Sequence, residues 1–401
     1  MVSLPPRPPD VQDTPKVGQT SQDEKEGNIF SHYYGQLSHQ SNMLADAIRT
    51  STYQNAIFQN TEDFQNATVI DVGTGTGLLA FFAAQSGAKY VYGIEMSRIA
   101  LAARRLVEAN GMSDKISIIK GKVEEVELPE NVTSVDILVS EPLGFLLVHE
   151  RMLESYIVAR DRWLKPGGKM FPSNSTIFCS PFTDSELHAE QMSKADFWDY
   201  KEFYGIDLTT MKQDAIAEHM SQPVVGYFNP KILLSEQTSN FFFDFHTCTV
   251  AELQTFEIPL NFKIDKTGIC HGIACWFDCD FIGSGGKTVL FTGPEKPGTH
   301  WYQCRLLFVE PLAVNKGQTI SGLLKFQAND KFSYDVDVYC KIDGTSDLID
   351  TKNLIFMQDQ HYHYLTNSDS AVDSQGFGHA VGNSGQVNEE NGFANINNKC
   401  I

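Results

Sequence analysis

Val69-Ile70-Asp71-Val72-Gly73-Thr74-Gly75-Thr76-Gly77 is the stretch that decides how this chain folds. A β-branched run from Thr68 to Val72 ends in glycines at every second position. Directly after it, Leu78–Gln85 is almost wholly apolar and closes near Gly87, as a buried helix with a glycine stop does. A strand that turns into a helix over glycines is the first unit of a parallel α/β sheet. The glycines also let a ligand approach the backbone closely, because no Cβ stands in the way.

The pattern repeats downstream. Tyr90–Glu95 reads as a second strand and Ile99–Ala109 as a helix that stops at Asn110-Gly111. Ile116–Lys122 and Val135–Glu141 follow as strands. Glu150–Leu164 then reads as a helix with Leu153, Tyr156 and Ile157 on one face, halted by Lys165-Pro166-Gly167-Gly168. Alternating strands and helices predict a mostly parallel sheet covered on both faces.

Upstream, Ile29 to Arg49 is amphipathic, with Leu37, Leu44 and Ile48 at helical spacing. Residues 1–27 are proline-rich, then charged, and predict a disordered arm. Past Phe171-Pro172 the grammar changes to strict alternation, as in Phe332, Tyr334, Val336, Val338 and Cys340. Further β-like runs are Ser175–Phe182, Phe241–Val250, Thr255–Ile264, His271–Ile282, His300–Val309 and Ile320–Gln327. They predict an antiparallel β domain, either barrel or sandwich. An aromatic-rich helical insertion at about 185–221 interrupts it; the residues alone leave open whether it packs on its own domain or on a partner. The domain plan is therefore an arm at 1–27, an α/β domain at 28–172, a β domain at 173–352 and a largely disordered, Asn/Gly/Ser-rich tail at 353–401.

Composition narrows the class of protein. The 401 residues carry 50 acidic and 31 basic side chains, a formal charge of −19. That balance disfavours direct nucleic-acid and anionic-membrane binding and favours cationic partners. No apolar run reaches the roughly 18 residues of a membrane span, and the N-terminal segment lacks the apolar core of a secretory signal, so the expected setting is intracellular. The eight cysteines form no CxxC pair, which predicts reduced core thiols and no metal site. His149-Glu150 begins like a metalloprotease helix, but Leu153 stands where HExxH needs histidine. His361–Tyr364, HYHY, reads as surface tail.

The spacing at the first turn is GxGxG rather than the GxGxxG of dinucleotide sites, and Asp71 is a poor neighbour for a pyrophosphate. An acid beside the loop suits a cofactor that carries an ammonium and a sulfonium. Glu95, at the end of the second strand, is placed to accept hydrogen bonds from ribose hydroxyls. The loop resembles the nucleoside loop of S-adenosylmethionine methyltransferases.

At the end of the fourth strand comes Ser140-Glu141-Pro142-Leu143-Gly144-Phe145-Leu146-Leu147-Val148-His149-Glu150. Two carboxylates flank an apolar loop where a doubly wound sheet places its ligands, and partly desolvated carboxylates want a cation. SExxG…E resembles the double-glutamate loop of protein arginine methyltransferases. Thr299-His300-Trp301 matches that family's THW loop, and YYGxLxxxxxMLxDxxRT (Tyr33–Thr50) its N-terminal helix over the cofactor. ERMLESY, FxxPFTD, QPVV, ACWFDxxF and HWYQ extend the match over residues 28–345, most like the coactivator-associated, histone-arginine branch.

The resemblance implies a Rossmann-like S-adenosylmethionine methyltransferase sheet followed by an antiparallel β-barrel domain, with 185–221 as a helical dimerisation arm. It implies that Glu141 and Glu150 grip the target arginine and that His300 and Asp46 handle protons. Tyr34 and Met43 would position substrate, with Met43 favouring the asymmetric (type I) product; read alone, Met43 is equally core filler. Phe30, Arg49, Asp71, Gly73, Gly75, Glu95, Val123, Glu124 and Ser155 would bind S-adenosyl-L-methionine, Arg49 through its carboxylate. Phe30 and Phe145 depart from the family, which more often has tyrosine at both positions. The implied partners are arginine-rich basic proteins such as histones and RNA-binding or transcription proteins, and a second copy of the chain; the implied location is nucleus and cytoplasm. Two rival readings are a small-molecule methyltransferase, which would not need both glutamates, and a catalytically silent scaffold for arginine-rich proteins.

Overall fold

In the computed structural model, residues 29–344 and 350–363 are described. Strands β1 (Thr68–Val72), β2 (Tyr90–Glu95), β3 (Ile116–Lys120), β4 (Val135–Ser140) and β5 (Leu164–Phe171) form one parallel sheet in the order β3-β2-β1-β4-β5. The chain winds outward from β1 through β2 to β3, then crosses back to β4. The crevice between the carboxyl ends of β1 and β4 is therefore the topological switch point, where open α/β sheets bind ligands. β1 and β4 are almost wholly buried, which is why they read as continuous apolar runs rather than alternating ones.

β5 corrects the sequence reading. Lys165-Pro166-Gly167-Gly168 does not merely stop a helix; it lies within the fifth strand. The turn-forming residues occupy an irregular entry, where the register against β4 shifts between Val135 and Ile137 and Gly167 has φ 76°. The preceding helix is Met152–Trp163, two residues shorter at its start than expected, because Glu150 and Arg151 have left-handed backbones (φ 74° and 57°).

The N-terminal segment also differs from a single amphipathic helix. It forms Ile29–Tyr34, Leu37–Ala45 and Ala47–Gln59, broken at Gly35 and Asp46. Gly35 gives its carbonyl to Arg98 Nε (3.0 Å), and Asp46 N-caps the third helix by accepting from the Arg49 amide. The breaks turn Leu37 and Leu44 to solvent, so they share no buried face with Ile48.

The β domain consists of two sheets over a common core, antiparallel except at one edge of the first. β6 (Asn174–Phe182), β7 (Val224–Gly226), β8 (Ser239–Asp244), β10 (Gly268–Gly283), β11 (Gly286–Phe291), β12 (Gln303–Val314) and β16 (His361–Tyr362) form one. β9 (Thr255–Lys263), β13 (Thr319–Ala328), β14 (Tyr334–Ile342) and β15 (Asp350–Phe356) form the other. Phe256 of β9 stacks on Phe326 of β13 at 4.5 Å and on Phe241 of β8 at 5.2 Å, joining the sheets into a barrel-like unit. β8 ends at Asp244 rather than Val250, because Thr249 and Glu252 form a capping box that starts a short helix. His300 lies in the turn before β12, not in the strand.

The expected boundary of a disordered tail at 353 is wrong. β15 runs to Phe356 on β14, and β16 pairs in parallel with β7, His361 opposite Val224. Both strands are short edge additions that depend on their partners, so local pattern does not announce them. The expected arm at 1–27 and the tail beyond residue 363 lie outside the described residues. The insertion is helical, with Ser185–Ser193, two single 3-10 turns and Lys212–Met220. The seven described cysteines are free and buried.

Candidate active site

A cavity of about 780 Å³ opens at the switch point and continues to the β domain. Gly73, Thr74 and Gly75 from the end of β1 form its floor, and Glu95 and Ser97 from the end of β2 form one side. Gly73 and Gly75 have φ of +68° and +56°, a conformation that L side chains rarely adopt. The carboxylate of Glu95 accepts from the Gly75 amide (3.0 Å) and the Ser97 amide (2.8 Å), which fixes its orientation beside the loop. Val123, Glu124 and Ser155 form the far end, where Ser155 Oγ donates to Glu124 Oε1 at 2.6 Å.

Asp71, expected at the nucleoside, does not reach the cavity. It is fully buried beneath the turn and accepts from Thr74 Oγ1 (2.5 Å) and the Ala80 amide (3.0 Å). Burial pushes it up to about 7 despite those two bonds. Its contribution is to brace the glycine loop from below.

The N-terminal helices supply the roof. Phe30, Tyr34, Gln40 and Met43 all line the cavity. Gln40, not singled out in the sequence, is buried, donates to the Tyr34 carbonyl (3.0 Å) and lies against Gly75. Only its place opposite a glycine reveals it, and no local pattern carries that.

Arg49 enters from the third helix. Its Nη2 pairs with Glu141 Oε2 at 3.1 Å, while its Nε and Nη1 are buried without a partner. Unpaired buried guanidinium donors are costly. They are a ready receptor for a carboxylate, as the resemblance requires of Arg49.

The loop after β4 carries the two glutamates. It is tightly wound: Leu146, Leu147, Glu150 and Arg151 all have positive φ, a conformation that costs about 1–3 kcal/mol per residue and persists only where the surroundings compel it. Gly144 is required, since a Cβ there would stand 2.0 Å from the His149 carbonyl oxygen. Trp301 Nε1 anchors the loop by donating to the Leu143 carbonyl at 2.7 Å. Phe145 stacks on His149 with centroids 4.1 Å apart.

Glu141 and Glu150 both face the cavity. Tyr34 donates its hydroxyl to Glu150 Oε1 at 2.8 Å. Burial pushes the Glu150 carboxyl up to about 8; the Tyr34 bond opposes this and the charge of Glu141 adds to it. A cation arriving between the two glutamates would relieve both the burial penalty and their repulsion. Across the cavity, His300 Nδ1 lies 2.7 Å from Asp46 Oδ2, which also accepts from the His300 amide at 2.9 Å. Burial works to raise Asp46, yet the bonds from His300 and the Arg49 amide together hold it below the usual aspartate value. Asp46 sits behind His300 and does not line the cavity. Among the described residues, no group of three or more metal-ligating side chains is assembled, and no helix is long and apolar enough to cross a membrane.

The comparisons with known proteins bear on the family of the chain. Residues 69–168 match a methyltransferase domain family, and residues 173–346 match the arginine methyltransferase oligomerization subdomain. The chain is 44% identical over 342 residues to the histone-arginine methyltransferase CARMER of Drosophila persimilis, covering 85% of this chain and 63% of that protein. It therefore spans about 63% of the length of this curated relative. Among solved structures, Arabidopsis thaliana protein arginine methyltransferase 10 superposes with a TM-score of 0.73 at 30% identity, covering 81% of this chain and all of that one. The Trypanosoma brucei PRMT1 enzyme–prozyme heterotetramer, solved with AdoHcy, gives 0.70 at 31% identity, covering 80% of this chain and 99% of that one. With both halves of the fold matched and the paired glutamates at the switch point, the chain belongs to the protein arginine methyltransferase family.

Proposed function

We propose that this protein transfers methyl groups from S-adenosyl-L-methionine to the guanidinium nitrogens of arginine in proteins. The observation that carries this reading is that Glu141 and Glu150 face one cavity together with the unpaired donors of Arg49. When bound, the cofactor supplies an electrophilic methyl group on a sulfonium. Arg49 would hold its carboxylate, Glu95 its ribose hydroxyls, and Val123, Glu124 and Ser155 its adenine.

The remaining residues act on the target. A guanidinium is planar and cationic, and two carboxylates can grip it through charge-assisted, fork-like bonds. Glu141 and Glu150 would draw its positive charge toward two nitrogens and leave the third more nucleophilic. Tyr34 holds Glu150 in place, and Asp46 holds the His300 ring where a departing proton can be accepted. The gain is orientation and electrostatics. A small-molecule methyltransferase would not need both half-buried glutamates, and a silent scaffold would not need the carboxylate-oriented histidine beside them.

Met43 lies half-buried in the cavity wall, which supports the asymmetric, type I product. Arginine-rich basic proteins, histones and RNA-binding or transcription proteins among them, suit the charge of −19, and with them a nuclear and cytoplasmic location. The insertion exposes Phe197, Tyr200, Tyr204 and Ile206, an apolar patch that supports a homodimer formed through this arm. The test is to mix the protein with labelled cofactor and an arginine-rich peptide, then analyse the product by mass spectrometry. Label on arginine as asymmetric dimethylarginine is the expected result. Cofactor binding without any labelling would instead favour the scaffold reading, and a symmetric product would overturn the role of Met43.

A further inference from the structure

The turn between β13 and β14, Asn329–Ser333, reaches the active site from the far domain. Ser333 Oγ lies 2.9 Å from His149 Nδ1, and both residues are buried. The Asn329 carbonyl accepts from Arg151 Nη1 at 2.7 Å. His149 and Arg151 are the neighbours of Glu150 on either side, so both flanks of that glutamate are tied to one turn.

The same turn touches the roof. Phe332 packs edge-on against Phe30 of the N-terminal helix at 6.3 Å, and Phe30 packs edge-on against His149 at 5.9 Å. The turn is itself braced: Asn329 Oδ1 accepts from the amides of Lys331 and Ser333 (3.1 Å each), and Asn329 Nδ2 donates to Asp335 at 2.9 Å. Glu150 and Arg151 have left-handed backbones, and such a conformation persists only where the surroundings over-determine it. Two anchors on a rigid turn meet that need. Burial pushes the His149 imidazole down to about 4, so near neutral pH the ring is an uncharged, hydrogen-bonding wedge.

We propose that the Asn329–Ser333 turn is a positioning element of the methyl-transfer site, holding Glu150 inward through His149 and Arg151 and seating the N-terminal helix through Phe332. The inference rests on the reading of Glu150 as a guanidinium-gripping group.

Three variants of the full chain test it. His149→Phe keeps the ring and its stacking but deletes the bond to Ser333. Ser333→Ala deletes the same bond from the other side. His149→Asn keeps a side-chain nitrogen near the position of Nδ1. The readouts are kcat and KM for an arginine-rich peptide, the Kd of S-adenosylhomocysteine by calorimetry, and the folded fraction by thermal unfolding. His149→Phe and Ser333→Ala should each lower kcat/KM for peptide at least tenfold while the nucleoside Kd stays within twofold, and His149→Asn should recover most of the loss. Unchanged kcat/KM in both, or a loss that follows the folded fraction alone, overturns the proposal. Failure of His149→Asn to recover activity overturns the route through Ser333. A wild-type protein that never labels peptide would instead overturn the proposed activity, so the two failures are distinguishable.

Discussion

Tyr34 donates to Glu150 at 2.8 Å across 116 residues of sequence, joining the roof of the cavity to the group expected to hold the substrate cation. The bond favours the charged carboxylate, against the burial that raises Glu150 to about 8. Tyr34→Phe should therefore raise Glu150 further. A hydrogen bond to a charged group is worth roughly 1.5–3 kcal/mol, so the acid limb of kcat/KM for peptide should move up by about one to two pH units. A pH–rate series on the two proteins measures this, and an unmoved limb would remove Glu150 from substrate binding.

The same burial has a stability signature. Between its ordinary value of 4.5 and about 8, Glu150 binds more protons in the folded state than in the unfolded one. Its contribution to stability therefore falls as pH rises through that window. Glu150→Gln should melt close to wild type below pH 4.5 and increasingly above it toward pH 8. The same variant should lose methyl transfer by about 10²-fold or more while still binding S-adenosylhomocysteine. Scanning fluorimetry across pH and one labelling assay check both halves.

Asp46 has two tasks that a single substitution separates. It caps the third N-terminal helix and it orients His300. Asparagine caps nearly as well as aspartate but carries no charge. Asp46→Asn should keep the melting temperature within a few degrees and lower kcat by about 10²-fold. If kcat survives, His300 does not need its carboxylate.

Arg49 divides its guanidinium between Glu141 and two unpaired donors. Lysine cannot serve both directions. Arg49→Lys should weaken S-adenosylhomocysteine by about tenfold or more, equivalent to about 1.4 kcal/mol. Calorimetry reads this directly, and an unchanged Kd would place the cofactor carboxylate elsewhere.

Tyr204 is 92% exposed at the tip of the insertion, beside Phe203 at 4.9 Å. Aromatic anchors of this kind dominate interface energies. Phe197→Asp together with Tyr204→Ser should turn a dimer into a monomer by light scattering at micromolar concentration. A double variant that stays dimeric would assign the interface to another surface.

What the sequence revealed followed from local pattern. The glycine turn, four of the five parallel strands and the carboxylates flanking the loop after β4 carry their signal within a dozen neighbours, whereas Asp46, Arg49 and His300 have roles only through the resemblance of their motifs. The features that escaped depend on distant partners. β5 was hidden because Lys165–Gly168 are turn formers, placed in a strand only by β4 beside them. β15 and β16 look like tail until β14 and β7 are in place. His149 carries no local signal beyond an incomplete HExxH pattern, and its bond to Ser333 spans 184 residues. The motif position of Asp71 points to the ligand site, whereas the fold turns it underneath the loop.

Gln360 and Tyr362 line the cavity, and Gly226 leaves room for the His363 carbonyl, which a Cβ would otherwise meet at 2.0 Å. The last strand thus runs along the cavity wall. Trimming the chain ahead of Gln360 would strip two side chains from the cavity wall and leave one edge of β7 unpaired.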